Sequence, residues 1–246
     1  MSSNFTIKDL LEAGVHYGHV AHKWNPKMAP YIFGKRNGVH IINLDITVPM
    51  LENAINVIRD VSSNNGRILF VGTKSQASER IKAAAIKCGQ YYVNNRWLGG
   101  MLTNWKTVSQ SIKKMQTIEG MISKSDKYTK REISGFQREF EKLESAIGGI
   151  VKMGDVPDLL VVIDTIRESI AIGEAVKLGI PVVAVVDSNS DPDNITYPIP
   201  GNDDATKAID LYCDLFSSAV IEGMQKGMQK LGIDLGASQE TPVEQE

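Results

Sequence analysis

The stretch "DLLVVID", residues 158–164, decides the fold class. Its five central residues are all apolar, and three of them are β-branched. A strand with one face in water alternates polar and apolar side chains, so an unbroken apolar run belongs to a strand covered on both faces. "RILFVG" (67–72) and "PVVAVVD" (181–187) have the same character, and "YYVN" (91–94) is a shorter version. The runs end at Gly, Asn or Asp and lead toward helical stretches. Parallel strands need long crossover connections, so strands alternating with helices predict an α/β fold: a doubly wound parallel sheet with helices on both faces. The helices are expected at 47–64, 75–88, 166–178 and 204–229. The last is led by "PGNDD" (200–204), where Asn202 or Asp203 can accept hydrogen bonds from first-turn N–H groups.

Between the second and third strands the pattern changes. Phe136, Phe140, Leu143, Ile147 and Ile150 follow one another at heptad-like intervals, and Val108, Ile112, Met115 and Ile122 form a matching stripe upstream. "SKSDKYTK" (123–130) reads as their connector. Two narrow apolar stripes suit helices that pack on each other, so residues 104–150 are expected to form an inserted antiparallel coiled-coil helical hairpin. At 1.5 Å rise per residue, arms of roughly 20 residues would be about 30 Å long. The domain expectation follows: 1–103 with 151–230 as a discontinuous globular domain, 104–150 as the hairpin, and 231–246, acidic and poor in apolar residues, as a disordered tail.

The formal charge of −2 conceals an asymmetry: residues 1–150 hold 21 Lys+Arg against 12 Asp+Glu, whereas 151–246 hold 6 against 17. A basic amino-terminal portion can meet polyphosphate, although charge blocks also arise as solvated faces. Cys88 and Cys213, far apart and outside any CxxC pair, read as small buried hydrophobes of a reducing compartment. The amino terminus carries no secretory or transit pattern, and no apolar run approaches a membrane span, so a cytoplasmic protein is expected.

Three kinds of chemistry can be weighed. The turn "FVGTKSQ" (70–76) lies where such folds hold ligands, but it fits neither phosphate-loop pattern: Lys74 and Ala77 stand where GxGxxG needs glycines. Lys74 remains a candidate point contact for phosphate. Asp164 and Asp187 end neighbouring predicted strands, with Asp191 and Asp193 close behind, and converging carboxylates can hold Mg²⁺ for phosphoryl transfer. No nucleophile or general base accompanies them, and Asp commonly closes such loops. His16, His19 and His22 recur every third residue, yet tetrahedral zinc needs convergent ligands and Gly18 interrupts the register; His16 and Asp187 are weak metal candidates only.

The remaining signal interleaves cations with aromatics. "HKWNPKMAPYIFGKRNG" (22–38) carries Lys23, Lys27, Lys35 and Arg36 among Trp24, Tyr31 and Phe33. "YYVNNRWLGGMLTNW" (91–105) adds Asn95, Arg96, Trp97, Gly99, Gly100 and Trp105, and Lys106, Lys113 and Lys114 follow on the first hairpin arm. Lysines neutralise phosphates, and flat rings and guanidinium planes stack on unpaired bases. The expected division puts Trp97, Gly99, Gly100 and Trp105 at a structural junction, with Asn95, Arg96 and the lysines on RNA.

These blocks, together with "LLEAGVHYGH", "ILFVGTKSQA", "VIDTIRES" and "GIPVVAVVDSNSDPDNITYPIPGNDDA", run in unbroken order from Thr6 to Gln229 and resemble the S-two family of bacterial small-subunit ribosomal proteins. The resemblance implies a Rossmann-like core with the inserted hairpin, and no catalysis or cofactor. It implies a structural constituent of the small subunit that binds 16S ribosomal RNA between head and body near the mRNA exit. It also implies contact with other small-subunit proteins, helping dock the large OB-repeat mRNA-binding one, and not an independent homo-oligomer. "VAHKW" (20–24) departs from the family by carrying one lysine where relatives commonly hold more basic residues.

Overall fold

The computed structural model describes residues 5–124 and 128–230, so the expected tail and the middle of the expected connector lie outside the described residues. Helix α1 (Ile7–Ala13) opens on a capping box between Thr6 and Asp9 and ends at Gly14, whose φ of 78° is the left-handed turn glycine adopts without strain. Strand β1 (Tyr17–Val20), two short 3-10 turns at Ala21–Lys23 and Pro26–Tyr31, and strands β2 (Ile32–Arg36) and β3 (Val39–Ile42) follow. They form a small antiparallel sheet in the order β1-β3-β2.

The main sheet is built by β4 (Ile68–Val71), β5 (Tyr91–Val93), β6 (Leu159–Ile163), β7 (Val182–Val186) and β8 (Tyr197–Pro200). Its order is β5-β4-β6-β7-β8, parallel throughout, and the winding reverses between β4 and β6. Helices α2 (Leu44–Ser63), α3 (Ser75–Lys87), α6 (Ser169–Leu178) and α7 (Thr206–Lys230) lie close to the expected spans. Asn202 Oδ1 accepts from the N–H groups of Asp204 and Ala205 at 2.8 and 3.1 Å, tightening the turn that leads into α7.

Because successive strand residues point to opposite faces, the apolar runs supply two cores. Ile68, Phe70, Leu159, Val161, Ile163, Val183 and Val185 pack with residues of α2, α3 and α7. Leu69, Val71, Leu160, Val162, Val182 and Ala184 pack with Trp97, Met101, Leu102 and the inner face of α6. Burying each such side chain stabilises the fold by about 1.5–3 kcal/mol. Helices α4 (Trp105–Ile122) and α5 (Lys130–Ile147) lie against each other and are crossed by a Lys114–Glu139 ion pair at 2.5 Å. Their apolar stripes reach the globule: Ile112, Met115, Ile147 and Ile150 belong to the same cluster as the second sheet face. The pair therefore roots in the core layer.

Candidate nucleic-acid interface

The crevice at the carboxyl ends of β4, β6 and β7, where doubly wound folds bind ligands, is filled by the chain itself. Lys74 follows β4 and is only 14% exposed. Its Nζ lies 3.3 Å from Asp164, 2.9 Å from Asp203 and in contact with Asp204. Burial would lower the Lys74 pKa, but the carboxylates of Asp204 and Asp203 outweigh it and raise it, keeping the ammonium charged. Asp203 is pushed up to about 7, first by burial and then by the like charges of Asp187 and Asp164. From the other side comes His19 of β1: Nδ1 lies 3.1 Å from Asp187 and Nε2 3.2 Å from Asp204.

The amino-terminal segment is held in this position by backbone contacts. The N–H of His19 donates to Ser188 Oγ at 2.8 Å, that of Asn25 to the Ser188 carbonyl at 2.8 Å, and that of Asn202 to the Val15 carbonyl at 3.0 Å. A Cβ on Gly18 would stand 2.7 Å from Ser188 Oγ, so only glycine lets β1 come this close.

Asp164 and Asp187 thus converge as the carboxylate reading required, but the space beside them is taken by the Lys74 ammonium and the His19 imidazole. Asp164, with φ of 71°, also accepts from the N–H groups of Ile166 and Arg167. Asp191 and Asp193 both bind Lys27 Nζ, at 2.7 and 2.5 Å, and pin the loop after β7 to the Pro26–Tyr31 turn. Of the three histidines, His19 alone joins a cluster of donors able to converge on an ion, with Asp203 and Asp204, among the described residues. His16 is half-buried, which depresses its pKa, and His22 is exposed. Cys88 and Cys213 are buried thiols whose pKa values burial raises to about 11 and about 12.

The junction is organised by a residue that the sequence reading missed. Glu174 of α6 is buried, and its carboxylate accepts from Trp97 Nε1 at 3.1 Å and from the N–H groups of Gly100, Leu102 and Thr103 at 2.7, 2.9 and 3.0 Å. The signal lay in "SIAIGEAVKLG" (169–179), where an acid falls on the face defined by the buried Ala171 and Ala175. Burial raises the Glu174 pKa, but the donors from Thr103, Trp97, Leu102 and Gly100 outweigh it and lower it. Trp97 is buried, whereas Trp105 is half-buried and donates from Nε1 to the Gly154 carbonyl at 3.2 Å. Gly100, with φ of 84°, needs to be glycine; a Cβ on Gly99 would meet nothing.

The other named cations divide into two groups. Lys27, Lys74 and Lys114 are engaged with carboxylates. Lys23, Lys35, Arg36, Arg96, Lys106 and Lys113 are exposed, as is Asn95, and among the described residues none of these cations has an ion-pair partner. Phe33, 77% exposed, stands one residue from Gly34 and two from Lys35 on β2; Trp24 leans on His40 with ring centroids 5.1 Å apart.

The arrangement defines a doubly wound α/β protein whose ligand crevice is closed from within and whose unpaired cations lie outside it. The model of the family described as ribosomal protein S2 matches residues 10–223, and the chain belongs to that family, one of structural ribosomal proteins rather than enzymes. The small ribosomal subunit protein uS2 of Rhodospirillum centenum is 59% identical over 242 residues, covering 98% of this chain and 93% of its own. Those of Sinorhizobium medicae and Gluconobacter oxydans are 59% and 57% identical over 98% of this chain, with 95% and 91% of their own length covered. The chain is a small-subunit ribosomal protein with a structural part in translation. No helix among the described residues is long and apolar enough to cross a membrane.

Proposed function

We propose that the chain binds 16S ribosomal RNA in the bacterial cytoplasm through Lys23, Lys35, Arg36, Asn95, Arg96, Lys106 and Lys113. These residues lie on the turn after β1 (Lys23), on β2 (Lys35 and Arg36), at the junction and on the first arm of the hairpin. The observation that carries the reading is that these cations are exposed and unpaired, while Lys27, Lys74 and Lys114 are neutralised by the chain's own acids. An ammonium ringed by three carboxylates offers nothing to a phosphate, so Lys74 acts as a strut of the crevice, and Lys27 and Lys114 are secondary at most. Counterion release supplies affinity along this face, and the shape of folded RNA against two bodies supplies selectivity. The bodies are the globule of 1–103 with 151–230 and the 104–150 coiled-coil hairpin. The family likeness supports a seat between head and body near the mRNA exit, where the chain helps dock the large OB-repeat mRNA-binding protein.

Reversing two of these charges, Arg96→Glu with Lys106→Glu, tests the reading in cells lacking the wild-type copy or in reconstitution. Among the described residues neither side chain has an ion-pair partner to lose, so the thermal midpoint should stay within about 2 °C, as for surface substitutions of under about 0.5 kcal/mol. Incorporation into small subunits, read by sedimentation, should fall at least tenfold. Equal incorporation would remove the RNA role of this patch.

A further inference from the structure

The chain holds two Asn-Gly pairs, Asn37–Gly38 and Asn65–Gly66. In both, the asparagine is exposed and left-handed, with φ of 50° and 57°. An asparagine before glycine is open to attack on its own side chain: the glycine nitrogen can reach the side-chain carbonyl carbon because no Cβ on the following residue hinders the approach. The two turns differ at that nitrogen. The N–H of Gly66 donates to the Val61 carbonyl at 2.9 Å and that of Asn65 to the Ser62 carbonyl at 3.1 Å. A Cβ on Gly66 would stand 2.5 Å from Val61 Cγ1, so this turn is packed against the end of α2. Gly38, by contrast, is exposed, with nothing within 4 Å of its Cβ position. Among the described residues neither its N–H nor the Asn37 side chain has a hydrogen-bond partner. What holds this turn is the Arg36–Val39 strand pairing behind it and the N–H of Ala21, which donates to the Gly38 carbonyl at 2.8 Å. A turn held so lightly opens at small cost, and opening lets Asn37 rotate its carbonyl carbon onto the Gly38 nitrogen.

We propose that Asn37 is a site of spontaneous deamidation and that Asn65 is protected from the same reaction. The Gly38 nitrogen gives its proton to water and bonds to Asn37 Cγ; the bond from Cγ to Nδ2 breaks, and Nδ2 takes up a proton and leaves as ammonia. Water then adds to either carbonyl of the resulting succinimide and breaks that carbonyl's bond to the ring nitrogen. Opening at Cγ gives aspartate, and opening at the backbone carbonyl gives isoaspartate, in which the main chain runs through the former side chain. Water is the only co-reactant. Either product replaces a neutral amide by a carboxylate next to Arg36 and two residues from Lys35. Those cations belong to the exposed, unpaired set, so the new charge subtracts from their attraction for phosphate. Isoaspartate also adds a methylene to the backbone of a two-residue turn and so disturbs the Arg36–Val39 register. The modification site stands on the geometry of the two turns, and its effect on RNA alone rests on the reading given above.

The folded full-length chain is held in mildly alkaline buffer at growth temperature, sampled over days, digested in acid and analysed by mass spectrometry. The peptide with Asn37 is expected to gain the mass of an amide-to-acid change at least about tenfold faster than the peptide with Asn65, since opening the packed turn costs more than swinging the exposed one. Asn37→Gly keeps a residue suited to the turn and removes the side-chain amide, so it should abolish the gain. No gain at Asn37, or equal rates at the two asparagines, overturns the proposal. Asn37→Asp carries the new charge from the start and should bind a 16S fragment at least about threefold more weakly at low salt, with the difference shrinking as salt rises. Equal binding by Asn37→Asp and wild type would remove the consequence for RNA, whereas the mass gain decides the modification itself, so the two failures are told apart.

Discussion

Glu174 shows how much one side chain can organise. Five donors from the Trp97–Thr103 loop converge on its carboxylate, and without it the loop would bury Trp97 Nε1 and two or three backbone N–H groups with nothing to accept them. Each buried donor left unpaired costs about 1–3 kcal/mol, so Glu174→Ala should destabilise the chain by on the order of 3 kcal/mol or more. Urea unfolding measures it, and a loss under about 1 kcal/mol would mean that the loop finds other acceptors. The sign with pH follows from the lowered Glu174 pKa. The group stabilises the fold above the ordinary glutamate range and loses that contribution as pH falls through its depressed folded value, so the difference between wild type and Glu174→Ala should shrink in acid. The place of Trp97 at the foot of the expected hairpin marks it in the sequence as a candidate brace. The acceptor that orients it was not legible, since it comes from a helix more than 70 residues downstream.

At the scale of elements, the contiguous apolar runs placed β4, β6 and β7 without ambiguity, because nothing but burial on both faces explains them. β8 escaped because "TYPIP" carries two prolines, which argue against a central strand; it is an edge strand, where a missing N–H is tolerated. The β2–β3 hairpin escaped for a different reason. Its turn signal, Asn37–Gly38 with φ of 50° and 78°, sits inside a stretch whose lysines and aromatic rings point to nucleic-acid chemistry and mask the strand alternation on either side. Helix α7 holds a further packing feature. Gly223 and Gly227, one turn apart, face α2 so closely that a Cβ on Gly223 would stand 2.7 Å from Ser62 Cβ and collide with the Arg59 carbonyl. Gly223→Val should therefore force α2 and α7 apart and cost about 1–3 kcal/mol or more. Gly173→Ala, at a helical position with open space around its Cβ, is the control expected to be neutral or slightly stabilising by thermal unfolding. Equal midpoints for the two variants would show that the α2–α7 contact can relax.

Over the whole molecule, the charge asymmetry has two causes that the sequence cannot separate. Much of it is internal: Lys27, Arg59, Arg67, Lys74, Arg80 and Lys87 of the basic portion each pair with an acid of the carboxy-terminal portion, stitching the two stretches of chain into one body. Spending those cations on the fold leaves the exposed, unpaired set as the surplus available to an outside polyanion. The two populations should respond differently to salt. Affinity for RNA falls with salt in proportion to the phosphates neutralised, so Lys35→Gln or Arg36→Gln should each lower the slope of log K against log salt by about 1. Lys27→Gln should leave that slope unchanged while loosening the loop after β7. Binding of the chain to a 16S fragment across a salt series makes the comparison. A slope that drops equally for Lys27→Gln would mean that its pairing with Asp191 and Asp193 opens on RNA, and that the acids of this protein hold part of its RNA-binding charge in reserve rather than cancel it.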